Sequence, residues 1–258
     1  MMRMITRSRF LGLAGAALLF GGLAPAQAQA QSSKKVYELR TYTANPGKLS
    51  ELVRFFKEAT EPAFARHGMK SIGYWIPTDA PDHDNTFIYI LEHPSREEAT
   101  KNWDAFRKDE AWLAARKTFE ANGALAGKIA SVFMEQLDIP GAAKTRSTPG
   151  AFELRTYTSH PGKLDNVIAR FKDHTNTIFN RLNMPVVAYW RPTDAPDHDN
   201  TLIYIIAHPS KDAGVANWGK FRTDPEWVKA QKESEAAGPI VQKAVGVYME
   251  PTAFSALK

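Results

Sequence analysis

The run Glu38-Leu39-Arg40-Thr41-Tyr42-Thr43 returns unchanged as Glu153-Leu154-Arg155-Thr156-Tyr157-Thr158. Just downstream, Pro46-Gly47-Lys48-Leu49 returns as Pro161-Gly162-Lys163-Leu164. The ten residues 77–86 (PTDAPDHDNT) return without change at 192–201. Trp103, Phe106 and Trp112 match Trp218, Phe221 and Trp227, and Met134-Glu135 matches Met249-Glu250. The offset is 115 throughout, without a gap, and about half of the positions are identical. This is a tandem duplication. Its period is too long for a solenoid repeat and long enough for a small domain.

Each unit carries its own pattern. Residues 36–43 alternate and include β-branched and aromatic members, which predicts a strand. Asn45-Pro46-Gly47 ends it. From Lys48 to His67 the apolar residues Leu49, Leu52, Val53, Phe56, Ala63 and Phe64 fall on one face of a helix. Pro62 is expected to kink or end that helix, because it lacks an N–H and clashes one turn back. Residues 69–76 and 86–92 read as two further strands around a polar loop. Ser95 with Glu98 three residues on forms the pattern of a capped helix start. That helix carries Trp103 and Phe106, a second helical stretch surrounds Trp112 and Phe119, and 132–137 reads as the last strand. The order β-α-β-β-α-β is the ferredoxin-like split unit, an α+β fold. One sheet face is covered by helices, and the other needs a partner. A duplicated chain supplies that partner itself. The expected architecture is two ferredoxin-like domains packed sheet to sheet, or closed into a barrel, as an internal pseudo-dimer, with a higher oligomer left open. The domains are expected at 34–138 and 151–251, joined by the turn-rich linker 139–150.

Residues 1–30 differ from the rest. They hold Arg3, Arg7 and Arg9, no acidic residue, an apolar stretch over 10–23 and the small-residue exit Ala26-Gln27-Ala28-Gln29-Ala30. This is the pattern of a cleavable signal peptide, with cleavage after Ala28 or Ala30. A periplasmic or secreted protein is expected, by the general secretory or the twin-arginine route. The apolar stretch falls short of the ~20 residues a membrane span needs, and no span is expected in the mature chain. The 258 residues contain 33 Lys and Arg against 28 Asp and Glu, a net charge of +5. Residues 1–30 account for three of the basic residues and none of the acidic ones, so the remainder carries +2. A charge this small, dispersed among acids, argues against nucleic-acid binding. Cysteine is absent, which excludes thiol nucleophiles, Cys-ligated zinc and iron–sulfur clusters.

The E-L-R-x-Y opening, the P-G-K-L that follows, the Tyr-Trp pair before the loop and the Asn-Trp of the following helix resemble the NIPSNAP domain. The resemblance covers 36–137 and 152–251. It implies the dimeric α/β-barrel superfamily and a family without a settled biochemical activity.

Period-2 alternation puts Glu38, Arg40 and Tyr42 on one face of the first strand and Tyr37, Leu39 and Thr41 on the other. Glu153, Arg155 and Tyr157 repeat this. With Leu39 and Leu154 assigned to the helix-packed side, the polar trio is expected inside the barrel. There it forms either a register-fixing ion pair or a pocket in which Arg grips an anion. Trp75 and Trp190 complete the binding candidates, and Trp103 and Trp218 are expected in the core. The loops with Asp82, His83, Asp84 and Asp197, His198, Asp199 read as strand connections or as the lip of a site. They lack the calcium-loop spacing, and no metal is expected. Haem enzymes of the same superfamily use a histidine iron ligand, which makes His93 and His208 candidates. The other reading of these histidines is a surface position at a strand end. His67 has no counterpart, because residue 182 is Leu. No P-loop, dinucleotide fingerprint or nucleophile elbow occurs. The expected function is a small-molecule or protein binding module without cofactor. An oxygenase-like or haem-dependent enzyme is the alternative.

Overall fold

A computed structural model describes residues 34–139 and 150–258. The expected signal segment 1–30 and most of the expected linker lie outside the described residues. In the first half β1 (Val36–Ala44) leads to α1 (Leu49–Phe55), one π-helical turn (Phe56–Thr60) and α2 (Glu61–Arg66). Then come β2 (Lys70–Pro77), β3 (Thr86–His93), α3 (Arg96–Phe106), α4 (Glu110–Phe119) and β4 (Ala126–Gln136). The second half repeats this order. It has β5 (Ala151–Ser159), α5 (Leu164–Arg170), a π turn (Phe171–Thr175) and α6 (Asn176–Arg181). After these follow β6 (Val186–Pro192), β7 (Thr201–His208), α7 (Lys211–Arg222), α8 (Pro225–Ser234) and β8 (Val241–Pro251).

The eight strands close into one antiparallel barrel in the order β1-β3-β2-β8-β5-β7-β6-β4. Two seams join the halves: Trp75, Ile76 and Pro77 pair with Pro251, Glu250 and Met249, while Met134, Glu135 and Gln136 pair with Pro192, Arg191 and Trp190. The segment after each last strand then crosses over. Ile139 joins the helix-side core of the second half, and Phe254 joins that of the first, with its ring 4.8 Å from Tyr74.

Side chains fill the barrel interior, as an eight-stranded barrel allows. Trp75, Trp190, Ile90, Ile205, Met134 and Met249 are all fully or almost fully buried there. Aromatic contacts cross between the halves: Trp75 meets Phe152 at 5.7 Å, and Trp190 meets Tyr37 at 5.9 Å. Two further cores, one per half, lie between the outer sheet face and the helices.

Two local expectations change. Pro62 falls in the first turn of α2, behind the π turn. The second half has the same π turn with Thr177 at that position, so proline is accommodated by the distortion and does not cause it. The last strand begins at Ala126, not 132. Its first residues are small or exposed and carry no alternation to read. The Ser95 hydroxyl does cap α3, accepting from Glu98 N–H at 3.1 Å. Glu98 itself turns to Lys101 at 3.0 Å.

Candidate functional site

The polar trio lies on the opposite face from the one expected. Tyr37 and Leu39, with Phe152 and Leu154, belong to the barrel interior. Glu38, Arg40 and Tyr42 face the helices. The closed barrel explains this. Its interior is filled by apolar side chains from both halves and offers a charge nothing to pair with, whereas the helix layer supplies donors. Trp103 Nε1 on α3 donates to Glu38 Oε2 at 2.7 Å, and Ser131 on β4 donates to Oε1 at 2.6 Å. His93 Nε2, from the end of β3, lies 3.3 Å from Oε2. Arg40 Nη1 completes the set at 2.6 Å and its guanidinium stacks 4.5 Å from the Trp103 ring.

The second half repeats the cluster. Trp218 Nε1, His208 Nε2 and Arg155 Nη1 reach Glu153 at 2.6, 3.1 and 2.9 Å. Ser131 is replaced there by Gly246, where a Cβ would collide with Arg155 Nη1 and Glu153 Oε1. Burial alone would raise the Glu38 carboxyl. The bonds from His93, Arg40 and Ser131 outweigh it and hold the group down at about 2. Burial raises Glu153 too, and the His208 bond, the Arg155 charge and the Trp218 bond outweigh it and lower the group.

A cavity opens beside each cluster, between the outer sheet face and the helices. The first, of about 450 Å³, has Arg40, Tyr42, Trp103 and Trp112 on its wall. The second, of about 610 Å³, has Glu153, Arg155, Tyr157, Trp218 and Trp227. Both are ligand-sized. The Nε atoms of Arg40 and Arg155 are buried and have no hydrogen-bond partner. The Nη groups, each with two N–H and one bond to Glu or Tyr, retain donor capacity of their own.

Trp75 and Trp190 are on neither wall, since they point into the filled barrel. His93 and His208 are not surface residues at all; both are completely buried. Their Nε2 atoms face Glu38 and Glu153, and neither ring reaches a cavity wall. Their Nδ1 atoms are buried and have no hydrogen-bond partner. His67 packs beside the cap of α4, 2.9 Å from Asp109 Oδ2.

The Asp-rich loops lie away from both cavities. Asp82, Asp84, Asp197 and Asp199 are exposed, with His83 and His198 bonded to the neighbouring carboxylate at 2.8 and 2.7 Å. The first aspartate of each loop reaches the other half: Asp79 pairs with Lys211, and Asp194 with Arg96 at 3.0 Å. Among the described residues no group of acids and histidines could hold a metal ion. Among them, too, no helix is long and apolar enough to cross a membrane.

Sequence reasoning missed Arg116, Gln231, Gly246 and Tyr248 on the walls. Their signal lies in the duplication itself: these are positions where two otherwise similar copies differ.

An eight-stranded antiparallel barrel with a helix layer over each half, built from two βαββαβ units, defines a dimeric α/β-barrel protein whose two protomers are fused in one chain. The NIPSNAP family model matches residues 37–138 and 152–256, and the chain belongs to that family. The fold is similar to that of a candidate monooxygenase from Lactobacillus acidophilus, with a TM-score of 0.56 at 11% identity, over 88% of this chain and 100% of that one. It is similar to an anthrone oxidase-like protein, with a TM-score of 0.55 at 12% identity, over 87% and 94% of the two chains. A NIPSNAP family protein from Agrobacterium tumefaciens matches 41% of this chain and 89% of its own at 19% identity, with a TM-score of 0.36. No curated protein matches the chain.

Proposed function

We propose that this is an exported binding protein for small organic anions, with one site per half in the cavity between sheet and helices. The observation that carries the reading is the half-buried arginine at each cavity wall. Arg40 and Arg155 are each fixed by a buried carboxylate and a tyrosine hydroxyl, and each Nη group keeps an N–H beyond these bonds. A preorganised guanidinium at a cavity wall binds a carboxylate or similar oxyanion at low entropic cost. Export is supported by the pattern of residues 1–30, and no cofactor is part of the reading. Native mass spectrometry of the purified mature protein tests both points. A mass starting after Ala28 or Ala30 supports export. Benzoate is the probe for the arginines: the wild type should bind it, and a folded Arg40→Ala/Arg155→Ala variant should not. Unchanged binding in that variant would refute the role of the arginines.

Likeness of fold to the candidate monooxygenase and the anthrone oxidase-like protein favours a second reading, an oxygenase-like enzyme. Oxygen uptake in the presence of an anthrone tests it, and absence of uptake removes it.

A further inference from the structure

The two cavities share one end and diverge at the other. Arg40, Tyr42, Trp103 and Trp112 correspond to Arg155, Tyr157, Trp218 and Trp227 and form the common wall. Beyond it the first cavity continues past Leu52, Phe55, Leu125 and Ile129 as an apolar lobe. In the second half Arg170 stands where Phe55 does. Arg170 is only 4% exposed, donates to Glu235 at 2.9 Å and Ser234 at 3.2 Å, and lies 5.0 Å from the Trp227 ring. Ser234 replaces Phe119, whose ring meets Phe55 at 5.1 Å. Glu235 has the same residue, Glu120, in the first half. There Glu120 pairs with the exposed Arg116 at 2.7 Å, and Arg116 is replaced by Gln231 in the second half. The arginine that serves this glutamate has thus moved from the rim to the interior, and two phenylalanines have gone with the move.

The opposite end shows the reverse. Gly246 and Tyr248 line the second cavity, while their counterparts Ser131 and Phe133 do not line the first. The Arg96 guanidinium covers Phe133 at 3.5 Å. Its counterpart Lys211 stands 5.8 Å from the Tyr248 ring.

We propose that the two sites are chemically distinct. The first takes an aromatic carboxylate, with its carboxylate on Arg40 and its ring system in the lobe beside Phe55, and the second excludes that ligand. This rests on the anion-binding reading above. An apolar body gains by burial against Phe55 and Leu125. Against Arg170 it would have to displace a buried guanidinium from the half-buried Glu235, which leaves a buried charge unpaired.

The probe is 1-naphthoate, titrated calorimetrically into the full mature chain and followed in parallel by tryptophan fluorescence. The expected result is one bound naphthoate per chain, with quenching that is reduced in Trp112→Phe and retained in Trp227→Phe. Phe55→Arg should weaken binding by at least about tenfold, ~1.4 kcal/mol. The two tryptophan variants keep an aromatic ring in each core and carry the test if Phe55→Arg does not fold. Two equivalent sites, or quenching that depends on Trp227, would overturn the proposal. So would failure of naphthoate to bind while benzoate binds both halves through Arg40 and Arg155, an outcome that leaves the anion-binding reading standing. If neither acid binds, both readings fall.

Discussion

Replacing Glu38 by Gln removes the negative charge on which four donors of the first half converge. In the folded chain this carboxyl is held at about 2, against 4.5 for the free side chain. A lowered folded-state value means that the ionised group adds stability above the unfolded value and that this addition is lost as pH falls from 4.5 towards 2. The gap of 2.5 pH units, at 1.36 kcal/mol each, is worth about 3 kcal/mol. Glu38→Gln keeps the shape of the side chain and leaves Arg40 without its counter-charge. Urea unfolding of both proteins, followed by tryptophan fluorescence from about pH 6 to about pH 2, measures the effect. The wild type should exceed the variant most at the upper end, and the difference should shrink by about 3 kcal/mol across the window. Other carboxylates titrate in both proteins and cancel in the difference. A difference that stays constant with pH would refute the assignment of Glu38 as the ionised centre of the cluster.

Phe152→Ala deletes a barrel side chain that is 1% exposed and touches Trp75 of the other half. It should cost about 3–5 kcal/mol, and calorimetry should still show one transition for both halves, because both seams of the barrel are shared. Asp79→Ala with Asp194→Ala breaks the exposed cross-half ion pairs. Denaturation should register less than about 1 kcal/mol per pair. Alanine at Asp82, His83 and Asp84 should shift stability by no more than ~0.5 kcal/mol and leave naphthoate and benzoate binding unchanged. Loss of binding would make that loop part of a site.

The duplication, the strand–helix order and the barrel were legible because they rest on local signals that the chain states twice: the alternation of 36–43, the apolar face of 48–67 and the Ser95 cap. The orientation of the first strand was not legible. Both of its faces are buried or half-buried, so alternation divides the residues into two sets without saying which set points inward. The deciding contacts, Trp75 with Phe152 and Trp190 with Tyr37, join residues 77 and 153 positions apart and exist only once the barrel has closed. His93 was misread for the same reason. A histidine before a proline looks like a strand end at the surface, and its place under Glu38 depends on α3 folding back over the sheet.

Those contacts also show where the copies were free to diverge. A barrel residue in one half packs against the other half. Tyr37 sits on Trp190 and its counterpart Phe152 on Trp75, so a change in volume at one position strains a seam between the copies. The cavities carry no such constraint, because each half covers its own with its own helices. Phe55, Arg116 and Phe119 interact with their own half, as do Arg170, Gln231 and Ser234. A charge can therefore move from rim to interior in one copy without disturbing the other. The fused barrel holds two copies to one scaffold while leaving each cavity free to acquire its own chemistry, as the exchanges of Phe55 for Arg170 and Arg116 for Gln231 illustrate.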